Sequence, residues 1–379
     1  MSSPDHLVEI LAKENALVPG WESAVAAVRR ELFVPDTIEA DGRLVSRSAQ
    51  PELWLSLVYA DLPLTTQVND GQRTGTDDYR LPTSSSSMPS VMLQMLDLLQ
   101  VRESHRVLET GAGTGYNAAW LAHRLGSERV TSVDIDPALA ERAAENTAAA
   151  GYAPRIVCAD ADRGWPPGAP YDRLLATYRV PAIPYPWIEQ TPRGRIVAPW
   201  GGSFFPHNFI ALDVQDGVGT GRFTGFPSFM RSRTGRPHRG YLADFVHHHD
   251  QAAPRRTALS PWDLAGDSDA LFYTGLSLPT AWYLFTEADD GTGAATLWIL
   301  ADDRASWASV EYDGTPRDTY PVRQYGPRRL WDEAEAAYRK WERLDRPARD
   351  RAGLTVTREG EQVWLDTDEH VIGVFAVSP

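Results

Sequence analysis

The stretch of sequence that decides the fold runs from Val107 to Ala122 and reads VLETGAGTGYNAAWLA. Its apolar start predicts a strand, and its alanine- and leucine-containing end predicts a helix. Between them, Gly111, Gly113 and Gly115 permit a tight turn and a close approach of the backbone to a ligand, while the helix start presents free N–H groups. A strand–helix turn without a ligand is the simplest alternative. The G-x-G-x-G spacing differs from the dinucleotide pattern G-x-G-x-x-G, so a pyrophosphate ligand is the less favoured interpretation.

The sequence on either side of this turn alternates between strand-like and helical stretches. Four further apolar runs predict strands at 130–133, 155–158, 173–177 and 195–198, with helical stretches such as 139–150 between them. Strands that alternate with helices indicate a parallel, doubly wound sheet. We therefore predict an α/β protein with a Rossmann-like, doubly wound sheet.

Changes in pattern divide the chain into three parts. Residues 1–80 begin with helical periodicity and continue as a turn-rich region, which we interpret as N-terminal helices and a substrate-loop region. Residues 81–212 carry the Rossmann-like sheet. Residues 213–379 contain alternating, tryptophan-rich strands around one strong helix at 330–344, which predicts a C-terminal α+β extension. We expect most of these tryptophans to form the core of that extension.

Two aspartates end the predicted strands that follow the glycine turn. Asp134 lies 19 residues after Gly115, the spacing at which a carboxylate accepts hydrogen bonds from ribose hydroxyls. Asp160 ends the next strand, where it is placed to accept a hydrogen bond from an adenine amino group. A helix cap is the alternative role for Asp134, but Asp136, just before Pro137, suits that role better.

The glycine turn and the two aspartates together predict an adenosine-containing ligand. We expect S-adenosyl-L-methionine, with S-adenosyl-L-homocysteine as the product. The residues predicted to bind it surround the three strand ends: Glu109, Thr110, Gly111, Ala112, Gly113, Gly115, Tyr116, Asn117, Asp134, Ile135, Asp160 and Ala161.

Composition narrows the possible partners. The 37 basic and 51 acidic residues give a net charge of −14, which argues against nucleic acid and anionic membranes as partners. No stretch approaches the roughly 20 apolar residues of a membrane span, and the first residues lack the pattern of a signal peptide. We expect a cytoplasmic protein and a monomer.

Cysteine and histidine residues give little indication of further chemistry. The single cysteine, Cys158, lies in an apolar run and is expected to be a small buried hydrophobe. Three consecutive histidines, His247, His248 and His249, precede Asp250. Neighbouring side chains point apart on helices and strands, so we predict no metal site there.

Four stretches resemble the protein-L-isoaspartate O-methyltransferase family. Val107–Ala122 looks like its first methyltransferase motif, and Val25–Pro35 (VAAVRRELFVP) matches its N-terminal helix. Asp160–Asp172 (DADRGWPPGAPYD) resembles a segment of the family that ends in Ala-Pro-Tyr-Asp, and Ser84–Pro89 stands where the family has a Ser-x-Pro loop over the substrate carboxylate. The resemblance covers about residues 5–202. The first motif is shared by many methyltransferases, whereas the loop and the Ala-Pro-Tyr-Asp segment are specific.

This resemblance implies a carboxyl O-methyltransferase. An acceptor carboxylate is already ionised at neutral pH, so the site requires no general base. It must instead remove water from the carboxylate and orient one of its oxygens. We expect Ser87 to hold the carboxylate, with Ser86 and then Ser85 as further candidates. In the alternative interpretation, the serines cap a helix that begins near Pro89.

Two departures from the family pattern concern the substrate. Its Gly-Gln-Thr-Ile-Ser-like sequence is replaced by serines, and the fourth strand ends in the bulky residues Thr177, Tyr178 and Arg179, which we expect to contact substrate. The chain also continues well beyond the length that the resemblance implies. In the extension, residues 305–311 and 324–333 look like the actinobacterial methyltransferases that accompany ATP-grasp peptide maturases.

That subgroup resemblance implies methylation of an aspartate side chain in a cross-linked ribosomal peptide, followed by collapse of the ester to aspartimide. The extension would then recognise the peptide substrate. Isoaspartyl protein repair is the alternative within the enzyme class. A cofactor-binding adaptor that has lost transfer chemistry is the alternative from another class.

Overall fold

The computed structural model describes residues 3–40, 42–72, 80–237 and 240–376. Its N-terminal part consists of short helices and strands: α1 (Pro4–Lys13), α2 (Glu22–Ala27), β1 (Thr37–Ala40), β2 (Arg43–Ser46), α3 (Pro51–Val58), β3 (Leu64–Val68) and β4 (Pro82–Ser86). The four strands form an antiparallel sheet in the order β2-β1-β3-β4. The serine run therefore forms an edge strand of this small sheet.

The central part alternates strands and helices: α4 (Pro89–Leu99), β5 (Val107–Thr110), α5 (Tyr116–Leu125), β6 (Val130–Asp134), α6 (Pro137–Ala149), β7 (Arg155–Cys158), β8 (Arg173–Ala176), α7 (Tyr185–Gln190), β9 (Arg195–Trp200), β10 (Asn208–Gln215) and β11 (Val218–Thr224). The predicted strands and helices of this region are confirmed to within a few residues. Strands β5 to β9 are parallel to one another, as the sequence indicates.

The C-terminal part contains β12 (Ala253–Thr257), α8 (Pro261–Ala265), α9 (Ser268–Gly275), β13 (Ala281–Glu287), β14 (Ala294–Ala301), β15 (Trp307–Asp313), β16 (Tyr320–Tyr325), α10 (Leu330–Arg343), β17 (Ala352–Thr357), β18 (Gly360–Leu365) and β19 (Val371–Ala376). Five of these strands form an antiparallel sheet in the order β12-β16-β15-β14-β13. Trp307 and Trp331 are fully buried in this part, which confirms their predicted place in its core.

Successive residues on the central strands pack on opposite faces of the sheet. Leu175 and Val197 face the hydrophobic core that includes α1, α4 and α5. Leu174 and Ile196 face the second core, which contains α7 and the C-terminal elements. Burial on both faces explains why these strands are continuously apolar rather than alternating.

The central sheet continues into the C-terminal part. Its strand order is β19-β18-β17-β11-β10-β9-β8-β5-β6-β7. The neighbouring pairs from β9/β10 outward to β18/β19 are antiparallel. The predicted boundary between residues 212 and 213 lies inside β10. The fold class is nevertheless confirmed: an α/β, Rossmann-like sheet with N-terminal helices and a C-terminal α+β extension.

A buried carboxyl group ties the last strands to the sheet. Glu361 on β18 accepts hydrogen bonds from the backbone N–H of Ile183 (2.5 Å) and from Nε1 of Trp200 (3.2 Å). Burial raises the pKa of Glu361 to about 7, although both hydrogen bonds lower it. The C-terminal strands are therefore attached by polar contacts as well as by the continuous core.

The single cysteine and the three consecutive histidines lie outside the central core. Cys158 is exposed, so the prediction of a buried thiol is wrong; it ends β7, which is an edge strand with one side open. His247 and His248 pack against the ring of Tyr325, and His249 packs against Trp307. No helix within the described ranges has the length and apolarity needed to cross a bilayer.

Candidate active site

The glycine turn leads from β5 into α5 at the carboxyl end of the sheet. Gly111 has a φ of +94°, and a Cβ atom there would lie 2.5 Å from Oγ1 of Thr177. The N–H groups of Gly111 and Ala112 both donate to the carbonyl of Val133, at 2.7 and 3.1 Å. Gly115 has a different role, because a Cβ atom there would lie 3.0 Å from the carbonyl oxygen of Ala143 on α6. Glycine is therefore required for the turn and for helix packing.

Asp134 lies at the end of β6, facing the turn. Its Oδ2 accepts a hydrogen bond from the N–H of Gly113 (2.8 Å), and its Oδ1 accepts one from the N–H of Asp136 (3.0 Å). Burial raises the pKa of Asp134, although these hydrogen bonds lower it. Asp136 caps α6 through the N–H groups of Ala138 and Leu139, which confirms the cap assignment. Asp134 therefore keeps lone pairs for further donors.

Glu109 is a second buried carboxyl group at this end of the sheet. It accepts hydrogen bonds from Nδ2 of Asn117 (2.6 Å) and from Oγ of Ser132 (2.5 Å). Burial raises the pKa of Glu109 to about 7, even though both hydrogen bonds lower it. The side-chain oxygen of Asn117 is buried and has no partner among the described residues. Side-chain oxygens that accept hydrogen bonds are therefore concentrated beside the glycine turn.

The ends of β7 and β8 complete this side of the site. Asp160 accepts a hydrogen bond from the N–H of Asp162, and the carbonyl of Ala161 accepts one from Nε1 of Trp187. Thr177 donates to the carbonyl of Gly111 at 2.5 Å. These contacts fix the strand ends around the turn.

Tyr178 and Arg179 have different surroundings. The hydroxyl of Tyr178 donates to Oδ1 of Asp162 at 3.3 Å, and burial raises its pKa well above the ordinary value. Arg179 is buried, and its Nη1 donates to the carbonyls of Gly201 and Gly202. Arg179 therefore supports a neighbouring loop as well as lining the cavity described below.

The serine run lies across from the glycine turn. Ser84 and Ser86 are buried: the hydroxyl of Ser84 accepts from Thr66, and that of Ser86 accepts from Nε of Arg30 at 3.1 Å. In the part of the chain that the structure describes, the hydroxyls of Ser85 and Ser87 have no hydrogen-bond partner. They remain available to a ligand.

The serines do not cap α4, so that alternative interpretation is wrong. The residue before the helix is Met88, whose side chain makes no capping hydrogen bond. The N–H of Ser90 in the first turn is satisfied by Oδ1 of Asp61, at 2.8 Å. A distant aspartate thus performs the capping role.

Arg30 holds the serine strand from behind. This residue is fully buried, and its guanidinium donates to the carbonyls of Ser86 and Ser87 at 3.1 and 3.0 Å. It also donates to the carbonyls of three residues that follow or end α3, namely Val58, Ala60 and Leu62. Burial lowers the pKa of Arg30 to about 10, so the group stays charged at neutral pH. The sequence did not single out this residue.

A single cavity of about 730 Å³ joins the glycine turn to the serine strand. The structure brings most of the predicted site residues together in its lining: Ser85, Ser86, Ser87, Glu109, Gly111, Ala112, Gly113, Tyr116, Asn117, Asp134, Ile135, Asp160, Ala161, Thr177, Tyr178 and Arg179. Thr110 and Gly115 are not among the lining residues. Their contacts position the turn instead.

A segment that the sequence analysis missed closes the cavity. Residues 226–237, here called the roof segment, follow β11 and contribute many of the lining residues, including Phe229, Met230 and Arg233. The N–H of Arg179 donates to the carbonyl of Met230, and the N–H of Ser232 donates to the carbonyl of Arg179, both at 2.8 Å. The segment lacks strand or helix periodicity, so no sequence signal marked it.

The cavity fits S-adenosylmethionine. A Cβ atom on Gly111 would collide with Thr177, so only glycine leaves this backbone open. The buried carboxylate of Asp134 and the unpartnered oxygen of Asn117 suit hydroxyl and ammonium donors of a ligand. A Rossmann-like sheet with these features at the carboxyl ends of its strands defines a methyltransferase that uses S-adenosylmethionine.

Comparisons with known proteins identify the family. The family described as protein-L-isoaspartate(D-aspartate) O-methyltransferase matches residues 43–208. A protein-L-isoaspartate O-methyltransferase from Hyperthermus butylicus is 32% identical over 223 residues, which cover 56% of this chain and 80% of the relative. One from Methanoculleus marisnigri is 36% identical over 202 residues, covering 52% of this chain and 76% of the relative.

The chain belongs to the protein-L-isoaspartate(D-aspartate) O-methyltransferase family and is an S-adenosylmethionine-dependent carboxyl methyltransferase. A solved structure described as protein-L-isoaspartate O-methyltransferase shares the fold, with a TM-score of 0.54 and 21% identity. Its alignment covers 96% of this chain and 100% of its own.

Replacing Arg30 by alanine leaves several buried carbonyl groups without donors. We expect Arg30→Ala to lower the free energy of unfolding by about 3–5 kcal/mol, measured by denaturant titration. The neighbouring Arg29, whose side chain is 63% exposed, provides the control, and Arg29→Ala should cost less than about 1 kcal/mol. Equal losses in the two variants would contradict the assigned role of Arg30.

The raised pKa of Glu109 predicts a pH dependence of stability. Between its ordinary pKa of 4.5 and the folded value of about 7, the unfolded chain releases this proton first, so Glu109 lowers the free energy of unfolding as the pH rises. Glu109→Gln cannot ionise. Its stability relative to wild type should increase by up to about 3 kcal/mol between pH 4.5 and 7 and stay constant above.

Denaturant unfolding of the ligand-free proteins across this pH range measures the Glu109 effect. Glu145→Gln serves as the control, because the side chain of Glu145 is 66% exposed on α6. Its pH profile is the reference for the loss of an exposed carboxylate. Parallel pH profiles for Glu109→Gln and wild type would refute the prediction.

Proposed function

We propose that this enzyme methylates the side-chain carboxylate of an aspartate in a ribosomally made, cross-linked peptide, and that the ester then cyclises to aspartimide. The observation that carries the proposal is the single cavity with acceptor groups on one wall and unpartnered serine hydroxyls on the other. The hydrogen-bond acceptors suit the hydroxyl and ammonium groups of the cofactor, and the serine hydroxyls suit the carboxylate of the substrate. Each reactant of a carboxyl methylation thus faces a wall of complementary groups.

The serine strand has the groups needed to hold the acceptor carboxylate. The hydroxyl of Ser87 has no partner in the described structure, which favours it as a direct donor to a carboxylate oxygen. The hydroxyl of Ser86 accepts from Arg30, so its own proton remains free to be donated. The charge of Arg30 behind Ser86 also favours the ionised form of the acceptor. These serines and Arg30 together support recognition of an anion.

The chain supplies orientation rather than proton transfer in this reaction. When bound, S-adenosylmethionine supplies an electrophilic methyl group on a sulfonium. The residues around the cavity exclude water from the acceptor oxygen and hold it in one direction, which removes part of the entropic barrier. No general base is required, because the acceptor reacts as a carboxylate.

Features around the mouth of the cavity support a peptide as the substrate. Phe226, on the roof segment, lines the cavity and is 58% exposed, and exposed aromatic side chains are frequent anchors for protein partners. The bulky strand end at Tyr178 limits the space for a flexible acceptor. The extension of residues 213–379 supplies the roof segment, which is consistent with its proposed role in peptide recognition.

Ring closure follows from the chemistry of the ester. The amide nitrogen of the next residue attacks the ester carbonyl and loses its proton, while methoxide leaves and takes up a proton to form methanol. A tight turn in a cross-linked peptide brings these groups close together, so the step needs no group from the enzyme.

Isoaspartate repair is the second candidate, because the curated relatives in the comparison are described as protein-L-isoaspartate O-methyltransferases. It requires the same cavity and serine strand, with an isoaspartyl protein as the acceptor. The adaptor hypothesis requires a cofactor site without an acceptor site. The unpartnered hydroxyls beside that site argue against it.

Ser87→Ala tests the acceptor wall. Loss of a hydrogen bond to a charged group should lower kcat/KM for the acceptor by roughly 10- to 100-fold, while binding of S-adenosylhomocysteine and the melting temperature stay close to wild type. Ser56→Ala is the matched control, since the exposed hydroxyl of Ser56 bonds only within its own helix. A Ser87→Ala enzyme with full activity would exclude a direct role for this hydroxyl.

Mass spectrometry of two acceptors tests the proposed substrate. An isoaspartyl peptide and a macrocyclic, cross-linked peptide with aspartate are each incubated with enzyme and S-adenosylmethionine. We expect the cross-linked peptide to gain a methyl group and then lose methanol. Methylation of the isoaspartyl peptide alone would establish repair instead, and methylation of neither peptide, with cofactor binding intact, would favour the adaptor.

A further inference from the structure

The roof segment makes several contacts with the rest of the chain. Its backbone pairs with Arg179 at Arg231, as described above, and ion pairs join Arg231 to Asp302 (4.0 Å) and Arg236 to Asp70 (2.8 Å). The side chain of Arg233 lines the cavity and is 20% exposed. It extends from the roof segment to the start of α6.

The guanidinium of Arg233 contacts two separate parts of the chain. Its Nη1 forms an ion pair with Oδ2 of Asp136 at 2.9 Å, at the start of α6. Its Nη2 donates to Oε1 of Gln67 on β3 at 2.7 Å, and its Nε lies 3.3 Å from Asp70, just after β3. Nε2 of Gln67 also donates to Asp136, at 2.8 Å. Arg233 thus connects the roof, the N-terminal sheet and the Rossmann-like sheet.

Asp136 contacts both Arg233 and Asp134. Its backbone N–H donates to Oδ1 of Asp134, the carboxylate proposed to bind the ribose. Its side chain caps α6 and is only 9% exposed in the ion pair with Arg233. The contact that holds the roof therefore ends on the same turn that presents Asp134 to the cavity.

We propose that Arg233 is a positioning residue that closes the cofactor site, by holding the roof segment on the turn that carries Asp134. A bound cofactor is enclosed while this contact is intact, and it leaves when the contact opens. The planar guanidinium is required, because it donates in different directions to Asp136 and Gln67 at once, whereas a lysine ammonium is a point charge on a flexible stem. The inference depends on the cofactor site and not on the identity of the acceptor.

Arg233→Ala tests this role through cofactor affinity. Calorimetry should show the Kd for S-adenosylhomocysteine raised roughly tenfold or more, and stopped-flow fluorescence should show a correspondingly faster dissociation. In methyl transfer, the KM for S-adenosylmethionine should rise while kcat at saturating cofactor stays within about twofold of wild type. Arg233→Lys should recover only part of the affinity. A purely structural role would lower the melting temperature without this separation of KM and kcat.

Asp136→Asn separates closure of the roof from direct contact of Arg233 with the ligand. Asparagine keeps the helix cap but removes the charge that Arg233 binds. If Arg233 acts through Asp136, Asp136→Asn should raise the Kd as well, and the double variant should be no weaker than Arg233→Ala. An unchanged Kd in Asp136→Asn, or additive losses in the double variant, would overturn the proposal.

Arg142→Ala is the matched control for loss of an arginine. Arg142 lies on α6, the helix that Asp136 caps, but its ion pair with Glu145 is exposed and lies outside the cavity lining. Its Kd should equal that of wild type. If wild type binds S-adenosylhomocysteine tightly and Arg233→Ala has the same Kd, the proposed role of Arg233 is refuted, but the proposed function is not. If wild type methylates no acceptor, the proposed function is refuted, but the role of Arg233 is not.

Discussion

The buried guanidinium of Arg30 is the contact on which the serine side of the cavity depends. Its partners are carbonyl oxygens and the hydroxyl of Ser86, and together they use the donor directions that a guanidinium offers. A charge without water is costly, so these hydrogen bonds fix the backbone of the serine strand firmly. The strand is held from behind by a cation, and its front remains free to meet an anion. Stability and the proposed recognition of the anion thus depend on one side chain.

The cavity exists only where three distant parts of the chain meet. The middle of the chain provides the glycine turn, the N-terminal sheet provides the serine strand, and the roof segment comes from beyond β11. Arg233 connects the roof segment to the N-terminal sheet and to the start of α6, whereas Arg30 fixes the serine strand to the segment after α3. Both use the planar geometry of arginine to join segments that have no regular secondary structure in common. The site is therefore a property of the assembled fold rather than of the Rossmann-like sheet alone.

Local patterns predicted much of this arrangement, because the sheet, the glycine turn, Asp134 and the cap at Asp136 each depend on residues close in sequence. The rest depends on contacts between distant residues. Arg29 and Arg30 are adjacent and identical, yet one is exposed and the other fully buried. The roof segment has no periodicity, and its course is set by Arg179 and Asp136. The exposure of Cys158 follows from strand order, which apolar content cannot reveal.

The junction between β11 and β17 affects how the chain folds during synthesis. Arg222 of β11 donates to the carbonyl of Arg351, beside β17, across 129 residues of sequence. A ribosome needs on the order of 10 s to add that many residues, and for this time β11 has an open edge. Contacts this far apart also slow the closure of a sheet. The exposed strand edge must therefore stay unaggregated until the last strands emerge, which favours expression at low temperature or with chaperones.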